Sequence, residues 1–89
     1  MMMKYSASQF SADRKRLMEI VANKITYVGS DVSTFRVSFA DNILGLNVDV
    51  FLSKKTVMLL TKSSNNPCVK RKQTWEEIES IFNNLYNYV

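Results

Sequence analysis

"STFRVSFADNILGLNVDVFL", residues 33–52, decides how this chain folds. Phe35, Val37 and Phe39 alternate with Thr34, Arg36 and Ser38, so one side of this stretch is apolar and the other polar. After a turn-forming "ADNILG", the same period of two returns: Leu46, Val48, Val50 and Leu52 alternate with Asn47, Asp49 and Phe51. A strand sends successive side chains to opposite faces, so this pattern describes two strands with one buried and one wet face. Asp41 and Asn42 suit turn geometry, and Gly45 is a candidate for a bulge.

Working outward, "SKK" (53–55) reads as a tight turn and "TVMLLT" (56–61) as a third strand. The third strand shows no clear alternation, the pattern of a strand that is central or covered on both faces. "SSNNP" (63–67) is a loop, and "CVKRKQ" (68–73) is either a short fourth strand or a continuation of that loop. Consecutive strands joined by short turns pair antiparallel.

Helical periodicity flanks the strands on both sides. From Ser8 to Ile25, Phe10, Leu17, Ile20 and Val21 recur three and four residues apart, with Met18 and Ile25 as further candidates for that face. Ser8 or Ser11 is the expected acceptor at the helix start, and Gly29 and Ser30 punctuate the chain after it. At the other end, Thr74 with Glu77 three residues on forms a capping box ahead of Trp75, Ile78, Ile81, Phe82 and Leu85. Glu76, Glu77 and Glu79 lie near the positive end of this helix and are accounted for by that position.

The expected fold is therefore α+β, a two-layer sandwich over residues 1–89 as a single domain. An antiparallel sheet of three or four strands carries the N- and C-terminal helices on one face, in the order α-β-β-β-(β)-α. The opposite face, with Thr34, Arg36, Ser38, Asn47, Asp49 and Phe51, is left open. Residues 1–7 are expected to form a flexible arm.

Composition removes whole classes of chemistry. The 89 residues hold one cysteine, Cys68, and no histidine. An internal disulfide, a Cys/His zinc site and His-dependent nucleophilic catalysis all lack their residues. Cys68 is expected to act as a small core hydrophobe. No glycine-rich phosphate loop and no Gly-x-Ser-x-Gly motif occurs. Asp31, Asp41 and Asp49 are loosely spaced and largely in turns, where Asp is common, so no magnesium site is assigned. The chain is expected to be non-enzymatic, without metal or cofactor. No segment approaches the ~18 apolar residues of a membrane span, and the N-terminus lacks the apolar run of a signal peptide. A lone cysteine fits a reducing compartment, and a cytoplasmic location is expected.

Charge is where function is most legible. Twelve Lys and Arg against eight Asp and Glu give +4 overall. The excess is uneven: residues 50–75 contain Lys54, Lys55, Lys62, Lys70, Arg71 and Lys72 and no acid. Arg14, Lys15 and Arg16 add cations on the first helix. Such a stripe suits a phosphate backbone or another acidic partner, although lysines also protect sheet edges from aggregation. Phe51 on the open face, with Tyr86 and Tyr88 near the C-terminus, supplies the aromatic side chains of a candidate protein interface, including that of a homodimer.

The helix–strand–strand–strand–helix order, with "KRKQT" (70–74) immediately before the second helix, resembles the double-stranded-RNA-binding domain. The resemblance implies a sheet backed by two helices and phosphate contacts from Lys70, Arg71 and Lys72. The sequence departs from that family at "ADNILG" between the first strands and at "WEEIESIFNN" in the second helix, where the family is rich in lysine and alanine. The expected function is a small binding protein acting through its basic surface on nucleic acid or a nucleoprotein complex. The alternative is a protein-binding inhibitor of the kind carried by phages and mobile elements, or a small assembly subunit.

Overall fold

The computed structural model describes residues 4–89. Helix α1 (Ala7–Val21) is followed by five strands, β1 (Thr26–Asp31), β2 (Arg36–Asp41), β3 (Leu46–Phe51), β4 (Thr56–Thr61) and β5 (Cys68–Lys70), and by helix α2 (Trp75–Asn83). A 3-10 turn (Leu85–Tyr88) ends the chain. The strands form one antiparallel meander in the order β1-β2-β3-β4-β5. The expected α+β layout is present, with both helices packed on one face of the sheet.

The alternation read at residues 33–52 sets the core. Val37 and Phe39 on β2 lie opposite Val50 and Val48 on β3, which lie opposite Val57 and Leu59 on β4. All six are buried. From above, Phe10, Leu17 and Val21 of α1 and Ile78, Ile81 and Phe82 of α2 close the layer. The Phe39 and Phe82 rings meet edge-on at 5.4 Å, coupling the sheet to α2. A fully buried side chain of this size contributes about 1.5–3 kcal/mol, so the layer accounts for most of the driving force.

The capping box of α2 is formed as the sequence implies. Thr74 Oγ1 accepts from the Glu77 backbone N–H at 3.1 Å, and the Glu77 carboxylate accepts from the Thr74 N–H at 2.8 Å. Asp41 accepts from the N–H groups of Ile43 and Leu44 in the β2–β3 turn. That turn closes at Gly45, whose φ of +65° favours a residue without Cβ.

Several expectations change. Helix α1 ends at Val21, not Ile25, because Ala22 adopts a φ of +49° and the chain turns into a strand. Its N-cap is Ser6, which accepts from the Gln9 N–H, not Ser8 or Ser11. Gly29 and Ser30 do not punctuate the chain; they lie within β1, a strand additional to the expected three or four. A register shift between Tyr27 and Gly29 breaks the period of two there, which hid the strand from a pattern reading. Gly45 is a turn residue, and the bulge is this one.

The expected arm 1–7 is also revised. Residues 1–3 lie outside the described residues, but from Tyr5 onward the chain is anchored. The Tyr5 ring packs edge-on against Phe35 at 4.8 Å and its hydroxyl donates to Asp13. Cys68 is exposed rather than part of the core, because it sits on the short edge strand β5. β4 is not covered on both faces. Val57 and Leu59 are buried, while Met58 and Leu60 sit on the open side and blur the alternation.

Candidate binding surface

The open sheet face and the turns at one of its ends hold five of the candidate residues: Phe51, Lys54, Lys55, Arg71 and Lys72. Residues 32–35 join β1 to β2, residues 52–55 join β3 to β4, and residues 71–74 lead from β5 into α2. The register places all three connections at the same end of the sheet. Backbone hydrogen bonds tie them together. The Leu52 N–H donates to the Phe35 carbonyl at 2.9 Å, and the Gln73 N–H donates to the Lys55 carbonyl at 2.9 Å.

This arrangement gathers Lys54, Lys55, Arg71 and Lys72, which are separated by up to eighteen positions in the chain. Among the described residues, three of the four non-glycine residues with positive φ lie in these connections: Phe35 (+55°), Lys55 (+49°) and Lys72 (+53°). Left-handed backbone costs an ordinary residue about 1–2 kcal/mol, so this end of the sheet holds its turns under strain. The left-handed turn at Lys72 also ends the alternation of β5. Residues 68–70 are therefore strand and 71–74 are loop, which answers how the "KRK" cations point.

Arg16 of α1 joins the cluster from the helix side. Its guanidinium carbon stands 4.5 Å from the centre of the Trp75 ring, and the Lys55 ammonium stands 5.5 Å from that centre. Trp75 is half-buried against the core, so its ring already has cationic partners from the same chain. Trp75 is a packing residue that holds these cations in place.

The remaining predicted cations are dispersed. Lys70 points to the helix side of β5, its ammonium 5.6 Å from the centre of the Tyr88 ring. Arg14 donates to Ser30 Oγ at 2.8 Å and to the Tyr27 hydroxyl at 3.1 Å, which fastens α1 to β1. Those bonds, first from Ser30 and then from Arg14, lower the Tyr27 phenol below its ordinary value. Lys15 is exposed on α1. Lys62 follows β4 at the opposite end of the sheet, a strand's length of about 17 Å beyond the start of β4 at ~3.3 Å per strand residue. The sequence stripe is thus not one surface: Lys54, Lys55, Arg71, Lys72 and Arg16 come together, and Lys62, Lys70, Arg14 and Lys15 do not join them.

Beside the cluster, the open face forms a hollow of about 480 Å³. Phe51, Met58 and Val69 give it apolar walls, and Lys54 and Arg71 line it with cations. Thr34, Ser53 and Thr56 complete the lining with hydroxyls, and no carboxylate lines it. The sequence reading placed Phe51 on this face but missed Met58 and Val69. Their signal was present: each sits one position from a residue that faces the helices.

A second hollow of about 250 Å³ continues across the sheet past Met58 to Val28, Leu60 and Pro67. It has a different electrostatic character, because Asp49 lines it and accepts from Ser38 Oγ at 2.6 Å. At the C-terminus, Tyr86 is 76% exposed, whereas Tyr88 is half-buried beneath Lys70. The two tyrosines do not form a shared aromatic patch.

Among the described residues, no three His, Cys, Asp or Glu side chains gather as a metal site. None of the described helices is long and apolar enough to cross a membrane. In comparisons with family models, curated proteins and solved structures, nothing matches this chain. The sheet also departs from the double-stranded-RNA-binding domain in its strand number, with five strands in place of the three of that helix–strand–strand–strand–helix order.

Proposed function

We propose that this protein is a non-enzymatic binding module that takes nucleic acid at the end of the sheet where Lys54, Lys55, Arg71 and Lys72 converge. The observation that carries this reading is the join between two connections, through the Gln73 N–H and the Lys55 carbonyl, which makes one cationic surface from two separate runs of sequence. Residues 50–75 contain no acid to neutralise it. The cost of left-handed backbone at Lys55 and Lys72 supports the same reading, since strain of this kind collects at functional sites.

Phosphates are the matching ligand because flexible cations neutralise them at low ordering cost and release condensed counterions. The carboxylates Glu76 and Glu77 at the start of α2 keep phosphates away from that helix end, so the contacts fall to the turn residues. A protein partner with an acidic surface is the second reading. The apolar strip from Phe51 and Met58 to Leu60 and Pro67 favours it.

The test is a binding titration against a labelled oligonucleotide at increasing salt. With Lys54, Arg71 and Lys72 engaged, the plot of log affinity against log salt has a slope of at least about −2, at roughly 0.7 per phosphate for a single strand. The triple variant Lys54→Gln, Arg71→Gln, Lys72→Gln flattens that slope by about 2. An unchanged affinity and slope in the triple variant rejects the reading. A nuclease-resistant protein complex recovered from cells, with no oligonucleotide binding in vitro, moves the function to the second reading.

A further inference from the structure

We propose that the hollow walled by Phe51, Met58 and Val69 is a subsite for one unpaired base of a single-stranded nucleic acid, with the phosphates on either side of that base held by Lys54 and Arg71. The inference rests on the nucleic-acid reading above and specifies the class of strand.

The hollow is about 480 Å³, within the ~300–1,000 Å³ range of sites that enclose small ligands. Its walls are those a base requires. The Phe51 side chain is half-buried on the open face, in register between Arg36 of β2 and Thr56 of β4. A phenyl ring fixed in a sheet is a stacking platform that loses little side-chain entropy on binding. Met58 and Val69 lie directly opposite each other across β4 and β5 and supply the rest of the apolar surface. Thr34, Ser53 and Thr56 offer hydroxyls that both donate and accept, so they suit any base edge and impose little sequence preference.

Charge complementarity selects the occupant. Lys54 and Arg71 both line the hollow, and no carboxylate does. The ligand is therefore apolar and flat at its centre and anionic at its ends, which describes a nucleotide within a strand. A duplex does not meet this description, because its base faces are stacked inside the helix and only its phosphates are on offer. Duplex binding uses the cations and leaves the apolar floor idle. The second hollow sets the length of the site. Asp49 lines it, so a phosphate carried along the face in that direction meets a like charge. The strand crosses the end of the sheet, and the base-reading part of the site spans about one or two nucleotides, shorter than the ~4–16 of larger single-strand folds.

The experiment compares fluorescence anisotropy of a twelve-residue oligothymidine, an abasic strand of the same length and a twelve-base-pair duplex. The proteins are wild type, Phe51→Ala and Phe51→Leu. Phe51→Leu keeps apolar bulk without an aromatic face and serves if the alanine variant folds poorly by circular dichroism. Wild type is expected to bind oligothymidine about 5- to 100-fold more tightly than the abasic strand, the equivalent of one stacked base. Phe51→Leu removes most of that advantage and leaves the salt slope and the abasic affinity unchanged. Equal affinity for oligothymidine and the abasic strand, tighter binding of the duplex, or full affinity in Phe51→Leu overturns the base subsite while leaving the nucleic-acid reading in place. Absence of binding to all three probes overturns both.

Discussion

The backbone N–H of Gln73 donates to the carbonyl of Lys55 across 2.9 Å, and this bond joins the β3–β4 turn to the entry of α2. It lies between two residues of positive φ, Lys55 itself and Lys72, immediately before Gln73. The bond and the strain belong together: the left-handed turn at Lys72 accompanies the donation of the Gln73 N–H to the neighbouring turn instead of to the solvent edge of β5. What results is a cationic surface whose spacing is set by backbone, with Lys55 held over the Trp75 ring.

Replacing Lys72 by glycine separates the two consequences of that turn. Glycine adopts positive φ without the Cβ clash, so Lys72→Gly is expected to raise stability by about 0.5–1 kcal/mol after allowing for the looser unfolded chain. The same substitution deletes a cation of the proposed phosphate-binding cluster and is expected to flatten the salt slope by about 0.7. Lys72→Gln deletes the charge and keeps the strain, so it lowers affinity with no gain in stability. Urea midpoints beside oligonucleotide titrations check both. A glycine variant less stable than Lys72→Gln contradicts the account of strain.

Asp49 acts against the proposed ligand. It lies two residues from Phe51 on β3, about 6–7 Å along the strand, on the same face. Removing its charge with Asp49→Asn retains an oxygen to accept from Ser38 and is expected to tighten oligonucleotide binding about two- to threefold at low salt. The gain shrinks as salt rises toward the ionic strength at which the Debye length is about 8 Å. Weaker binding in Asp49→Asn would show instead that the carboxylate takes part in recognition, for example by accepting from a base.

The capping box of α2 is a stability feature close to the cluster and separable from it. Thr74→Ala removes the acceptor for the Glu77 N–H, at a cost of about 1 kcal/mol. For a domain of this size that corresponds to a fall of about 4–8 °C in melting temperature. Affinity for nucleic acid at a temperature where both proteins are folded should not change. A loss of affinity in Thr74→Ala would mean that the start of α2 is itself part of the site.

The two-layer arrangement was legible because residues 33–52 repeat a period of two with few interruptions, and because Thr74 and Glu77 announce α2 outright. β1 was not legible, since the irregularity between Tyr27 and Gly29 shifts every later side chain by one position and erases the alternation. β4 looked covered on both faces because Met58 and Leu60 are apolar on a face that is open. The cations were visible as a run in sequence, but a run does not reveal partners. Only the folded chain separates Lys70, drawn over Tyr88, and Lys62, at the far end, from the four that converge. Phe51 was identified by its place in the alternation; the hollow around it needed the register of β3, β4 and β5, which the sequence does not print.

The start of the chain carries a pH signature that tests whether Tyr5 is anchored. Burial raises the Tyr5 phenol well above its ordinary value, and its hydrogen bond to Asp13 and that residue's charge push the same way. The folded state therefore holds this phenol neutral, while in the unfolded chain it ionises near 10. A raised folded value gives stability that is fully present below pH 10 and is lost as pH rises beyond it. Tyr5→Phe keeps the ring against Phe35 and removes the titrating group. Wild type should thus lose stability more steeply than Tyr5→Phe between pH 9.5 and 11.5, read as the difference in urea midpoints. Tyr27, lowered by Ser30 and Arg14, acts in the opposite direction, but it is common to both proteins and cancels in that difference. Parallel curves would mean that the Tyr5 hydroxyl reaches water in solution and that the first helix begins without this anchor.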